Sequence, residues 1–181
     1  AAPCFGPEKV IAFAASVDPA AIPRPLDAAD VREALGSLCL GRTSFAEVRA
    51  AGLLDALRER LSPGARAALE RLAPERVALH PGWSPRVEYA AGRPPWIEAS
   101  LQDFFGAAKG PLVGGGKVPV VLQLLGPNRR PVQVTSDLAG FWERHYPTVR
   151  RELARRYPRH DWPEDPRTAS PPRRDARRRR G

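Results

Sequence analysis

The segment "SDLAGFWERHYPTVRRELARRY", residues 136–157, decides the fold, because its apolar and charged side chains fall on opposite faces of a helix. The apolar face consists of Leu138, Phe141, Trp142, Val149, Leu153 and Tyr157. Thr135 or Ser136 is expected to cap the start, and Pro147 to kink the helix or begin a second one. Such a stripe needs a layer to pack against, which the preceding residues supply.

Short alternating runs between proline and glycine turns predict strands in residues 74–135. The runs are "RVAL" (76–79), "RVEYA" (86–90), "PPWIEASL" (94–101), "VPVVLQLL" (118–125) and "PVQVT" (131–135). We expect four or five strands in a mixed or antiparallel sheet, with helices on one face. "LQDFFG" (101–106) predicts a helical turn that ends at Gly106.

Helical patterning dominates the chain before residue 74. A short helix is predicted over residues 8–16, and three more over residues 27–73. Their start signals are Asp27, Ser44 with Glu47 as its capping-box partner, and Ser62 followed by Pro63. The helix after Ser44 is expected to run unbroken to residue 61. Expected core positions of the flanking helices are Val31, Leu35 and Leu38 in the first, and Ala65, Leu69 and Leu72 in the last.

The predicted fold class is α+β. A helical array precedes a small mixed or antiparallel sheet, which is packed by a long C-terminal helix and followed by a disordered Arg-rich tail. The predicted segments are a partial segment with a Pro-rich linker (1–26), a helical segment (27–73), an α+β domain (74–160) and an extended, disordered basic tail (161–181).

Charge is distributed unevenly along the chain, whose net charge is +9. Residues 1–128 carry 14 basic and 13 acidic side chains, whereas residues 129–181 carry 15 basic and 7 acidic ones. The C-terminal third is therefore the part expected to attract a polyanion. No apolar run approaches the length of a membrane span, so no membrane partner is expected.

Two further features of the composition concern the cellular compartment of the chain and its relation to a longer polypeptide. Cys4 and Cys39 are too few for a disulfide framework and predict free thiols in a reducing cytoplasm. The sequence has no methionine, so we expect it to be a piece of a longer polypeptide.

The glycine-rich stretch "GPLVGGGKVPVVLQLL" (110–125) invites comparison with a phosphate-binding loop. That loop needs Gly-x-x-x-x-Gly-Lys-Ser/Thr between a strand and a helix. Counted from Gly116-Lys117, the first glycine position holds Pro111 and the hydroxyl position holds Val118. A β-branched run follows, so we predict a flexible turn before a buried strand instead.

Residues typical of catalytic or metal sites are scattered. His80, His145 and His160 lack metal-ligand spacing with one another or with a cysteine, and structural roles are expected for them. Acidic residues near the C-terminus are expected to form surface ion pairs with neighbouring arginines; these are Asp161, Glu164 and Asp165. The sequence shows no complete active site, so the chain by itself is not expected to be an enzyme.

The arginines are the positive functional signal, since guanidinium groups bind phosphate backbones. The predicted nucleic-acid-binding residues are Arg129, Arg130, Arg144, Arg150, Arg151 and Arg155. Trp142, Tyr146 and Trp162 are candidates for base stacking. The alternatives are that Trp142 is core and the arginine face is merely solvated, or that an apolar patch at Trp83, Trp96 or Trp162 docks a protein.

Two stretches carry a family resemblance: "RPPWIEASLQDFFG" (93–106) and "GGGKVPVVLQLLGPNRRPVQVTSDLAGFWERHYPTVRRELARRYPRHDWPEDP" (114–166). They resemble the C-terminal domain of HrpB-type ATP-dependent helicases of the DEAH-box group, which are described as RNA helicases. The resemblance covers about residues 53–166, and residues 27–52 are similar to what precedes that domain.

The resemblance implies a non-catalytic accessory domain that contacts RNA or supports a helicase core in the same polypeptide. The implied parent is a hydrolase that uses ATP and magnesium in two RecA-like domains. Their phosphate loop, DEAH box and arginine finger are absent from this sequence, so no catalytic residue can be carried over and no cofactor is expected in this chain. A protein-interaction module and a free-standing RNA-binding protein remain the alternatives.

Overall fold

A computed structural model describes residues 7–22, 28–80 and 82–171 of the chain. Predictions for Cys4, Asp27 and the end of the basic tail (172–181) lie outside the described residues. The described elements are α1 (Pro7–Val17), α2 (Ala28–Cys39), α3 (Phe45–Ala51), α4 (Leu53–Glu59), α5 (Pro63–Leu72), β1 (Glu88–Ala90), β2 (Arg93–Ser100), a 3₁₀ helix (Leu101–Phe104), β3 (Leu112–Val113), β4 (Val118–Pro119), β5 (Val121–Leu125), β6 (Pro131–Thr135), α6 (Leu138–Arg144) and α7 (Tyr146–Arg156).

Two compact units divide these elements. Among the described residues, the helical unit comprises residues 7–22, 28–76, 87–95 and 112–118, and the sheet unit comprises residues 77–80, 82–86, 96–111 and 119–171. Together they give the predicted α+β fold, which is confirmed.

The helical unit begins its helices as the capping residues predict. Ser44 Oγ accepts a hydrogen bond from the Glu47 N–H at 3.3 Å, and the Glu47 carboxylate accepts one from the Thr43 N–H at 2.9 Å. Ser62 Oγ accepts from the Ala65 N–H at 3.2 Å, with a proline at the start of α5. In α5 all three predicted core residues are buried, whereas Leu35 of α2 is exposed.

Gly52 contradicts the prediction of one unbroken helix over residues 45–61. Its φ of 76° lies in the left-handed region, so the chain ends α3 there and starts α4 at the next residue. The apolar periodicity continues through the break, which is why the pattern alone predicted a single helix.

The glycine-rich stretch forms a hairpin in the helical unit. Gly114, Gly115 and Gly116 all have positive φ. The Gly114 N–H donates to the Leu72 carbonyl at 2.7 Å, which fastens the hairpin to the end of α5. The predicted turn before a buried strand is therefore confirmed, because Val120, Leu122 and Leu124 follow with their side chains buried.

A four-stranded mixed sheet has the strand order β1-β2-β5-β6. β2 and β5 are parallel, with Ile97 opposite Leu122, and β5 pairs antiparallel with β6. The predicted strand "RVAL" (76–79) is not a regular strand. The Val77 and Leu79 N–H groups donate to the Pro85 and Trp83 carbonyls at 3.2 and 3.3 Å, so the run pairs only through isolated bridges, one of them between His80 and Trp83.

Ring contacts fix the last two helices on the sheet unit. Trp142 contacts Tyr146 edge to face, with ring centroids 5.2 Å apart, and Phe105 contacts both rings. The predicted long helix breaks at His145, and Pro147 lies in the first turn of α7, where its missing N–H costs nothing. The alternative of a second helix is thus the observed one.

Two glycine substitutions in the helical unit should shift stability in opposite directions. Gly52→Ala should lower the free energy of unfolding by about 1–2 kcal/mol, since alanine disfavours the left-handed backbone. Gly36→Ala should raise it by about 0.5–1 kcal/mol, because Gly36 lies inside α2 with nothing within 4 Å of an added Cβ. Urea denaturation of both variants measures this, and unchanged or raised stability of Gly52→Ala would contradict the break at Gly52.

Candidate nucleic-acid interface

The two faces of α7 differ in chemistry. Tyr146 and Leu153 are buried, whereas Arg151 and Arg155 are exposed and line an open groove with Thr148 and Glu152. Within the described part of the chain, the Arg155 guanidinium has no ion-pair or hydrogen-bond partner. Arg151 bonds only weakly inside its own helix, with Nε 3.3 Å from the Pro147 carbonyl oxygen. These two arginines are therefore available to a bound anion.

Arg150 is engaged differently from Arg151 and Arg155. Its Nε donates to the Trp162 carbonyl oxygen at 2.8 Å, and its Nη2 lies 3.6 Å from Glu164 Oε1. It thereby holds the irregular segment 157–171, which we call the strap, against α7. Burial raises the pKa of Tyr146 to about 12, and its hydroxyl donates to the Pro163 carbonyl at 2.9 Å, which fixes the same strap.

The strap has further anchors in the sheet unit. Gln102, a buried polar side chain, donates from Nε2 to the Asp161 carbonyl at 2.8 Å. The Gly106 N–H donates to the Pro166 carbonyl at 2.8 Å. These bonds satisfy the carbonyls of a segment that has no regular secondary structure, and Arg150 is one member of that set.

Arg144 is held within its own helix. Its Nη2 lies 2.8 Å from Asp137 Oδ2, and Asp137 also caps α6 by accepting from the Gly140 N–H. These contacts, the Gly140 N–H first and Arg144 second, hold the pKa of the Asp137 carboxyl below its usual range. The Arg144 charge is thus partly compensated at the surface.

Arg129 and Arg130 occupy the turn between β5 and β6. The Gly126 N–H donates to the Arg130 carbonyl at 2.9 Å, closing the turn, and the Arg130 N–H donates to Asn128 Oδ1. Both arginines are exposed. Arg129 has a φ of 63°, a left-handed conformation that glycine or asparagine adopts more readily than arginine.

The predicted stacking aromatics are in the core, so that prediction is wrong. Trp142 is 4% exposed and Trp162 7% exposed, and each indole N–H donates to a backbone carbonyl, of Ala107 and Tyr157 respectively. Tyr146 is 1% exposed. Trp83 is buried against Phe104, so neither Trp83 nor Trp162 offers a protein-docking patch.

The histidines have the structural contacts that were expected. His80 Nε2 donates to the Asp103 carbonyl at 2.9 Å, His145 stacks on Phe141, and His160 Nδ1 lies 3.2 Å from Gln102 Oε1. In residues 7–22, 28–80 and 82–171, no three His, Cys, Asp or Glu side chains are grouped to hold a metal ion. Among the helices in those ranges, none has the length and apolar content to cross a bilayer.

Two of the three acidic residues of the strap form the expected surface ion pairs, whereas Asp161 has none in the described part of the chain. Glu164 pairs with Arg150, and Asp165 Oδ1 lies 2.9 Å from Arg167 Nε. The hydrogen bonds from Arg167 hold the pKa of the Asp165 carboxyl below its usual range.

Two arginines of the same helix should differ in their contribution to stability. Arg150→Gln should lower the free energy of unfolding by about 1–3 kcal/mol, because the Trp162 carbonyl loses a charged donor. Arg155→Gln should change it by less than about 0.5 kcal/mol, as is usual for an exposed side chain. Chemical denaturation followed by tryptophan fluorescence measures both, and equal effects would contradict the role of Arg150 in fastening the strap.

Residues 35–166 match the family model described as HrpB_C, ATP-dependent helicase C-terminal. The match starts within α2, so it takes in most of the helical segment. The chain is 36% identical over 134 residues to the ATP-dependent RNA helicase HrpB of Escherichia coli K12. That alignment covers 74% of this chain and 17% of the relative.

Two solved structures are similar to the chain. The crystal structure of the E. coli DExH-box NTPase HrpB aligns with a TM-score of 0.71 and 31% identity, over 94% of this chain and 22% of that chain. The crystal structure of the Escherichia coli DEAH/RHA helicase HrpB aligns with a TM-score of 0.58 and 28% identity, over 88% and 21%. The chain therefore spans only a minor part of the proteins it matches.

The resemblance read from the residues is thus confirmed by sequence and by fold. The sequence itself contains neither a complete phosphate loop nor a DEAH box. The chain belongs to the family of HrpB-type ATP-dependent helicase C-terminal domains.

Proposed function

We propose that the chain is the non-catalytic C-terminal module of an ATP-dependent RNA helicase and contacts RNA phosphates with Arg151, Arg155, Arg129 and Arg130. The observation that carries this proposal is the pair Arg151 and Arg155, which lie one turn apart along an exposed groove. Single-stranded RNA is polyanionic, and such contacts give affinity without reading sequence.

The other two predicted residues contribute differently. Arg150 and Arg144 keep positive charge at the surface, but each is bonded to a carboxylate of the chain itself. We expect them to add to the long-range positive electrostatic field rather than to bind a phosphate directly.

The whole polypeptide would hydrolyse ATP in a helicase core that this sequence does not contain. ATP and magnesium would bind there, and the cytoplasm is the proposed compartment. The role of the C-terminal module itself would be to contact the RNA close to where it passes through the core, or to support that core.

The N-terminal helices favour a second candidate function, docking on the helicase core of the same polypeptide. Leu40 and Phe45 are 78% and 90% exposed, although both are large apolar side chains. They flank the turn between α2 and α3. Burying them against another domain would remove apolar surface from water. This location is a second apolar candidate beside the half-buried Trp96.

Charge reversal on α7 tests the proposed RNA contact. The double variant Arg151→Glu/Arg155→Glu should weaken binding of a single-stranded oligouridine and reduce the slope of log K against log salt by about 1.4. Fluorescence anisotropy over a salt series measures both quantities. The control Arg32→Glu/Lys117→Glu changes the net charge equally at exposed positions of the helical unit. An equal loss in the two double variants would refute a localised site on α7.

Arg129→Gly should separate stability from binding in the β5–β6 turn. Glycine relieves the left-handed backbone, so the free energy of unfolding should rise by about 1 kcal/mol, while RNA affinity falls because one guanidinium is lost. Urea denaturation and anisotropy on the same preparation check the two effects. Unchanged affinity would remove Arg129 from the interface.

A further inference from the structure

The sheet unit has one sheet face in its core and one that is more accessible. Side chains alternate across a strand, and Ile97, Leu122 and Leu124 are buried on the first face. Trp96 and Glu98, their alternates on β2, therefore lie on the other face. Trp96 is half-buried and Glu98 is exposed. Three of the four tryptophans are in the core, so Trp96 is the least buried of the four.

The strand register places the neighbours of Trp96. Val121 of β5 is its partner, and Gln123 is opposite Glu98 in the next row of the same face. Val134 of β6 lies opposite Gln123 and is 53% exposed. This surface, which we call the open sheet face, consists of Trp96, Glu98, Val121, Gln123 and Val134.

The arginine turn lies at one end of the open sheet face. Ser100 pairs with Leu125, the last residue of β5, and the turn with Arg129 and Arg130 follows directly. Trp96 is four residues back along β2, roughly 13 Å at 3.3 Å per residue. The sheet thus presents a half-buried aromatic ring toward one end and two exposed arginines beyond the other.

We propose that the open sheet face binds single-stranded RNA, with one base stacked on Trp96 and phosphates further along the same strand at Arg129 and Arg130. The inference rests on the proposed function and deepens it, because it assigns a base-contacting residue. Stacking on an aromatic ring combined with a positively charged track is the chemistry that holds single strands without sequence preference.

The composition of the face favours RNA over a protein partner. Val134 is its one strongly exposed aliphatic side chain, which is little apolar area for a stable protein interface. Gln123 can exchange hydrogen bonds with a base edge. The negative charge of Glu98 repels phosphate and should limit the affinity for RNA. Removing that charge should therefore raise the affinity.

The test compares ring substitutions in the whole 181-residue chain. Trp96→Ala should weaken binding of a labelled oligouridine by on the order of tenfold, whereas Trp96→Phe should keep most of the affinity. The ratio between the two variants should persist at high salt, since stacking is not a counterion effect. Glu98→Gln should tighten binding by about two- to threefold.

Tryptophan fluorescence provides a second readout that does not depend on an alanine variant folding. RNA should quench part of the emission of the wild-type chain. Trp96→Phe should abolish that quenching, whereas Trp83→Phe should leave it intact.

The outcomes distinguish this inference from the proposed function. If the wild-type chain binds oligouridine but Trp96→Ala binds equally well and quenching survives Trp96→Phe, the stacking site is refuted while the arginine contacts stand. If the wild-type chain shows no binding even at low salt, the proposed RNA contact fails and the stacking site with it.

Discussion

Packing of aromatic rings in the sheet unit fixes the orientation of the last two helices and therefore decides which arginines face solvent. The rings of Trp142 and Tyr146 contact each other, and each also contacts Phe105 and Phe141. The polar ends of Trp142 and Tyr146 donate to the carbonyls of Ala107 and Pro163. Buried rings with satisfied polar groups hold a helix in one rotational setting. With Tyr146 and Leu153 turned inward, Arg151 and Arg155 face outward.

The same packing divides the arginines into two groups. Arg150 and Arg144 complete the structure by bonding to the strap and to the cap of α6. Arg129, Arg130, Arg151 and Arg155 have exposed side chains, and Arg129 keeps a left-handed backbone that a smaller residue would adopt at lower cost. A residue type that works against local stability is most readily explained by a role in binding.

Much of the fold was predictable because hydrophobic periodicity and capping are local signals. The caps at Ser44 and Ser62 and the stripe of α6 and α7 follow from neighbouring residues alone. The break at Gly52 did not, because a glycine within a helical pattern is compatible with either a continuous helix or a left-handed stop. The alternation at residues 76–79 likewise does not show that this run pairs with residues 83–85 through the Val77 and Leu79 N–H groups alone rather than through a continuous ladder.

The candidate site was less predictable, because its residues are sorted by contacts distant in sequence. Nothing in the sequence indicates that Arg150 donates a hydrogen bond to the Trp162 carbonyl. Arg150 and Arg155 therefore look equivalent in the helical pattern. Likewise, which tryptophan is accessible depends on which side of the sheet is covered. Alternation along β2 places Trp96 and Ile97 on opposite faces but does not say which of those faces is buried.

Photocrosslinking of the chain to 4-thiouridine-substituted RNA, with the crosslinked peptides identified by mass spectrometry, tests the central claim most directly. The account predicts crosslinks on β2 at Trp96, on the β5–β6 turn and on the exposed side of α7 around Arg151 and Arg155. Crosslinks confined to the helical unit, with none on these three elements, would contradict it.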